Sequence, residues 1–429
     1  MRRSKHDPNK VVVVTGDITM DWNIARLRRG DHPRSSWSAD DFARAHWQRG
    51  GAALLADLVD AIARELERSG ATRYQILQTS APVKPVLPRD DQYHHSYAIW
   101  SAFDYESKPA AQKVWRVAEF MGLDRSQEDV ADWQKIKDDV ADAPIVILDD
   151  ADLGFRNSQA LWPKAILSAK PWIILKMARP IAAGDLWQHL LKNHAERLIA
   201  VMAIDDLRLS EVQISRGLSW ERTAQDIFWE LVHNPRVNGL SRCAHVVISF
   251  DAAGAISLSN PPKTNAKQRQ AGAPQARLYF DPKVVEGMWQ ARYPGAVIGY
   301  TSCLAAAVAT QVMFNSKSPD IGAGVRRGLA AMRKLHREGY GNPGELAADS
   351  GPAFPFKMIA TDLAATTSVE HEDFVDVEVR DPMRSISGRT SSDASGDAGF
   401  WTILGDRYPS SLARVAEEIA LNEIGRAHV

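Results

Sequence analysis

PIVILDDADLGFRNSQALWPKAILSAKPWIILKMARPIAAGDLWQHLLKNHAERLIAVMAIDD, residues 144–206, decides the fold. It holds three short aliphatic runs, 144–148, 172–175 and 198–204, each short enough for a buried strand. Between the second and third, Leu186–His194 has the spacing of a helix. The first run ends in Asp149, Asp150 and Asp152, the second in Lys176 and Arg179, and the third in Asp205-Asp206, read as a polar turn. Strands separated by helices imply parallel βαβ units with helices covering the sheet. The same texture continues outward on both sides. Val11–Thr15 reads as a buried strand, Gly51–Leu66 as a helix, Trp220–Val232 as a helix and Ala244–Phe250 as a strand. In such sheets ligands bind beyond the carboxyl ends of the strands, where Asp17, Asp149, Lys176, Asp205 and Asp206 fall.

Composition narrows the classes. The 429 residues carry 52 Lys and Arg against 53 Asp and Glu, a net charge of −1. That balance gives no global electrostatic reason to bind nucleic acid or an anionic membrane. Two cysteines, Cys243 and Cys303, exclude a disulfide framework and read as small buried hydrophobes. Residues 293–316 lack charge, but Gly, Ala, Ser and Thr dominate them. This predicts a buried helix rather than a membrane span. The expected location is cytoplasmic. Residues 259–275 read as a flexible loop, 319–341 as a helix with a basic face, and 374–379 as a strand. Beyond 340 the chain reads as a C-terminal extension of mixed structure, 341–422, with 385–399 flexible. Residues 423–429, EIGRAHV, match the translation of a common sequencing adapter and are set aside.

Four motifs carry candidate chemistry. Thr15-Gly16-Asp17 and Asp21 follow the first strand; the two carboxylates could accept bonds from sugar hydroxyls, or cap a turn. Gly50-Gly51 opens a helix, where a ligand could approach backbone amides. Ser249–Ala255 is a strand running into a small-residue turn. Gly299-Tyr300-Thr301-Ser302-Cys303 feeds a small-residue helix whose first amides could hold a phosphate or a developing anion. Lys176 could neutralise phosphate, and Asp205 and Asp206 could hold Mg²⁺. No histidine set has a diagnostic zinc spacing.

The order of these motifs resembles the ribokinase-like (PfkB-type) carbohydrate kinases. TGDITMD (15–21), GGAALLA (50–56), SFDAAGA (249–255), YFD (279–281) and GYTSC (299–303) follow one another as in that family, over about residues 10–340. The resemblance implies an α/β three-layer sandwich with a mainly parallel central sheet flanked by helices. It also implies ATP and Mg²⁺ as cofactors and a sugar or sugar-like alcohol as substrate. Asp17, Asp21, Gly50 and Gly51 fall at sugar positions; Gly254, Gly299, Tyr300 and Thr301 fall at nucleotide and anion positions. The family's glycine loop reads Gly-Ala-Gly-Asp, and its Asp takes the proton from the sugar. Here Ser302 stands at that place. The expected function is therefore an ATP-dependent phosphotransferase. The alternative is a catalytically impaired relative that binds a nucleotide or sugar as a sensor. Family members often dimerise through a sheet inserted before the Gly-Gly, which makes a homodimer an expectation. The stretch 22–49 is charged and lacks clear alternation, so that sheet is expected to be absent or helical.

Overall fold

A computed structural model describes residues 10–27, 42–71, 74–78, 97–104, 112–120, 143–152, 155–157, 159, 162, 167–168, 170–180, 184–210, 212–214, 220–260, 274–281, 299–337, 354–365 and 374–379. In chain order the elements begin β1 (Val11–Gly16), β2 (Ile18–Leu27), β3 (Phe42–Gly50), α1 (Gly51–Arg68), β4 (Gln75–Gln78), β5 (Tyr97–Asp104), β6 (Gln112–Phe120) and β7 (Ile145–Asp150). They continue β8 (Trp172–Met177), α2 (Asp185–Asn193), β9 (Leu198–Ala203), α3 (Ile204–Arg208), α4 (Trp220–His233), β10 (His245–Phe250), β11 (Gly254–Ser259) and β12 (Gln275–Phe280). The last are α5 (Tyr300–Phe314), α6 (Ile321–Arg337), α7 (Phe356–Ala364) and β13 (Val375–Val379).

Nine strands form one sheet in the order β13-β12-β11-β10-β9-β8-β7-β1-β4. The six from β4 to β10 are parallel, and β11, β12 and β13 add an antiparallel margin. The parallel strands are nearly all aliphatic because both of their faces are covered. On one face Val13, Val146, Leu148, Ile173 and Leu175 pack against α2 and α4. On the other, Val12, Val14, Ile145, Ile147 and Ile174 pack against α1, α5, α6 and α7. The fold is thus an α/β sandwich of three layers with a mainly parallel sheet. The described part of the uncharged stretch is almost wholly α5, buried on nearly every side among α1, α6, α7 and the sheet. Among the described residues no helix is long and apolar enough to cross a membrane.

Three expectations are corrected. First, the described parts of the stretch after Asp21, residues 22–27 and 42–49, are strand rather than helix. β2 and β3 pair antiparallel, and with β6 and β5 they make a second sheet in the order β3-β2-β6-β5. The alternation is present in Ile18, Met20, Trp22 and Ile24, but it starts before residue 22 and fades within the charged Arg26–Asp31. Second, Asp205 and Asp206 lie in the first turn of the short helix α3, not in a loop. Third, the basic face of α6 is not left to itself but is engaged by other segments. Arg333 is buried against Asp281 (3.1 Å) and the Ala252 carbonyl (3.2 Å), with Phe374 beneath its guanidinium. Arg326 pairs with Asp376, Lys334 with Asp362, and Arg327 donates to the Ala365 carbonyl. These bonds tie α6 to β13 and α7. Residues from the 341–422 stretch therefore join the main body: β13 extends the sheet, and α7 packs on α1. The segments 261–273, 385–399 and 423–429 lie outside the described residues.

Candidate functional site

The apolar face under α1 and α5 ends in a polar rung. Following the alternation of β7 and β8, the positions after Ile147 and Ile174 are Asp149 and Lys176, which lie in register on adjacent strands. Lys176 Nζ is 2.7 Å from Asp149 Oδ2; Asp149 is buried, and Lys176 keeps 20% of its side chain exposed.

Helix α5 brings its amino end towards this rung. Its far end touches the amino edge of the sheet: the Met313 carbonyl accepts from Tyr74 just before β4, and the Ser316 carbonyl from Trp172 at the start of β8. Fifteen residues at about 1.5 Å rise span about 22 Å, the length of a six-residue strand, so α5 starts at the carboxyl edge. It starts without a side-chain cap and without an acidic residue in its first turn. The amides of Tyr300, Thr301 and Ser302 precede the first intrahelical bond, from Cys303 to the Gly299 carbonyl at 2.8 Å. Such an end favours an anion. Gly299 adopts φ +85, and a Cβ there would stand 2.4 Å from the Phe354 ring, so glycine is required twice over. Helix α1 begins in the same manner, uncapped behind Gly50, with the Ala52 amide bonded to the Asp17 carbonyl.

Below the opposite face lies a clasp. Arg156 is fully buried and bonds both oxygens of Asp150, at 2.8 and 3.0 Å. It also reaches Asp152 at 3.1 Å and the carbonyl of Ala178 at 2.5 Å. Arg179 lies 3.7 Å from Asp152. Asp152 and Arg179 both have left-handed backbones, φ 62 and 45. Strained non-glycine residues concentrate at functional sites, and these two face each other at the ends of neighbouring strands. Burial raises the Asp150 carboxyl, and Arg156 opposes that shift.

The candidate residues separate into groups. Asp17 is fully buried, and its two carboxylate oxygens accept the amides of Ala151 (2.9 Å) and Phe155 (3.0 Å). It shapes the connection after β7. Asp21 is on β2; its side chain lies outside the described residues. Gly50 and Gly51 open α1, and Gly254 opens β11 hard against the Tyr279 carbonyl. Ser302 and Tyr300 are buried, and the Tyr300 hydroxyl meets His336 at 3.1 Å. Asp205 is exposed and pairs with Arg208 at 3.2 Å. Asp206 is half-buried and accepts the Ala203 amide at 3.3 Å. The fold thus brings the ends of β1, β7, β8 and β9 and the starts of α1 and α5 to one edge. Among the described residues no three metal-ligating side chains cluster.

Asp206 is an edge carboxylate shifted towards neutrality. Burial raises it from 3.8 to about 6, against the pull of Lys176 and Arg179. Such a group can take a proton near neutral pH or welcome a cation. The sign of its effect on stability follows from linkage. Between 3.8 and about 6 the folded chain holds a proton that the unfolded chain has lost, so stability falls as pH rises through that window. Above it the ionised carboxylate is a net cost. Asp206→Asn is expected to raise the thermal midpoint at neutral pH, with the gain vanishing below the window. Thermal melts across that range check this; no gain at neutral pH would mean that the neighbouring cations fully compensate the burial.

Arg156 and Asp152 escaped the sequence reading as site residues. The one available signal was a lone arginine in Leu153-Gly154-Phe155-Arg156, shortly after an acidic run. No protein-family model matches this chain, and no curated protein matches it.

Proposed function

We propose that the protein is an ATP-dependent phosphotransferase acting on a sugar or sugar-like alcohol, built on a ribokinase-like sandwich. The observation that carries this reading is the Asp149–Lys176 rung at the edge where the uncapped amino end of α5 starts. A lysine and the first amides of a helix are the groups that phosphoryl transfer needs to offset charge on the moving phosphate. The amides of Tyr300–Ser302 would receive that charge, and Lys176 would neutralise it. The second sheet adds support, since two of its strands, β2 and β3, lie in the chain between β1 and α1. That is where the resemblance expects a sheet through which family members dimerise, so a homodimer belongs to the same proposal. Two buried cysteines suit a reducing, cytoplasmic setting.

Asp206 suits Mg²⁺ as a half-buried carboxylate at the strand edge, where a bound cation would offset the burial that raises it to about 6. Mg²⁺ needs only one or two carboxylates besides phosphate and water; Asp205 would be the second. When bound, the ion would neutralise charge on the phosphate oxygens.

A sensor that binds without turnover is the second reading. It is favoured by Ser302, a buried hydroxyl in a helix turn that holds no acidic residue. Without a base such a hydroxyl is a poor proton acceptor.

Calorimetry of ATP with and without Mg²⁺, on the wild type and on Lys176→Ala, tests the site. Mg²⁺-dependent binding that weakens by about tenfold or more in the variant is expected, as for loss of a charge-assisted contact. Absence of binding at millimolar ATP removes both nucleotide readings. Binding without transfer to any of a panel of sugars leaves the sensor.

A further inference from the structure

The opposite face of the sheet carries a cavity that the phosphotransferase reading does not use. Described residues between β7 and β8, with helix α2, line a cleft of about 870 Å³. Trp162 and Leu167 give it an apolar wall, and Lys170 and Lys192 stand exposed at its rim. Trp162, His189 and His194 form a stepped row of rings, each 5.8 Å from the next and tilted by about 44°.

His194 is the informative residue. It ends α2, its amide bonded to the Leu190 carbonyl, and only 7% of it is exposed. Its Nδ1 has no hydrogen-bond partner. Buried polar atoms are nearly always satisfied, and one that is not points to a water or a ligand. Burial holds the ring's pKa below the ordinary histidine value, with His189 and Lys170 adding to the shift. The neutral ring can donate or accept at Nδ1. Among the described residues neither Lys170 nor Lys192 has a carboxylate partner. The cleft's acid, Asp185, accepts the Gln159 amide at 3.3 Å. Two lysines against that one carboxylate leave the cleft with a net positive charge.

We propose that this cleft binds a small aromatic acid. The flat body lies along Trp162 and Leu167, the acid sits between Lys170 and Lys192, and His194 Nδ1 completes its hydrogen bonds. The site is independent of the nucleotide reading, because Lys176 projects from the other face of the sheet.

The full chain is titrated with 2-naphthoate, its neutral counterpart 2-naphthamide, and acetate, by saturation-transfer NMR and calorimetry. Naphthoate is expected to bind, with naphthamide and acetate each weaker by about tenfold or more, the size of one good polar or apolar contribution. Replacing both rim lysines, Lys170→Ala with Lys192→Ala, is expected to weaken naphthoate by a similar factor, while Lys176→Ala leaves it unchanged. His194→Phe keeps the ring and removes the orphaned nitrogen; it should raise the thermal midpoint while weakening naphthoate. A purely structural histidine would not give that opposite pair of changes. The proposal is overturned by no naphthoate binding in the millimolar range, by equal binding of naphthamide, or by binding that the lysine double variant does not alter.

Discussion

Arg156→Met is expected to lower the unfolding free energy by about 3–5 kcal/mol, the usual cost of stripping one partner from a buried ion pair. The side chain has no exposed surface and serves Asp150, Asp152 and the Ala178 carbonyl together. Methionine fills much of the volume but leaves the Asp150 carboxyl enclosed without its counter-ion. The loss therefore comes from the orphaned carboxylate more than from a cavity. A second substitution, Asp150→Leu, should recover much of it, because a buried pair replaced by apolar groups is often neutral. Urea unfolding of the two single variants and the double variant measures this. A drop below about 1 kcal/mol for Arg156→Met, the range of an exposed pair, would show that the clasp opens to water.

Gly16→Ala has the next largest expected effect. A Cβ at Gly16 would lie 2.1 Å from the Asp149 carbonyl oxygen and 2.6 Å from its nitrogen, and φ is +139. The obstruction is backbone, so no side chain can move aside. Overpacking of about 1–3 kcal/mol adds to a backbone strain of about 1–3 kcal/mol. The strands must part where Gly16 pairs with Asp149 and where the Asp17 amide meets the Asp149 carbonyl. Lys176 would lose its partner, so ATP binding should fall along with stability. Gly70→Ala is the control. It has φ +89 but nothing within 4 Å, so only the backbone part, about 1 kcal/mol, is expected. Equal losses at the two positions would rule out the clash as the cause.

The parallel sheet was legible because its strands are short aliphatic runs closed by Asp, Lys or Gly. Even the boundaries of 172–175 and 198–204 lie within two residues of β8 and β9. Lys176 and Asp149 were legible as polar residues at strand ends, but not as a pair, because register is a property of the sheet. The second sheet was hidden by charge: β2 alternates for only seven residues before Arg26 breaks the pattern. Arg156 was hidden for a different reason. Its segment has no period, and its partners meet it only when the ends of β7 and β8 converge. The basic face of α6 misled in the opposite direction, since Asp281, Asp362 and Asp376 come from distant segments.

The position of β13 bears on synthesis. The strands from β7 to β12 are laid down in the order in which they stand side by side, so a chain leaving the ribosome can zip that part of the sheet progressively. The strand that covers β12 arrives only with residues 375–379. Until then Gln275–Phe280, with Leu278, Tyr279 and Phe280 in its second half, presents an unpaired margin to every neighbouring nascent chain. Open strands of this kind template aggregation. Messages broken before that codon range should therefore yield insoluble product, however complete the rest of the sheet.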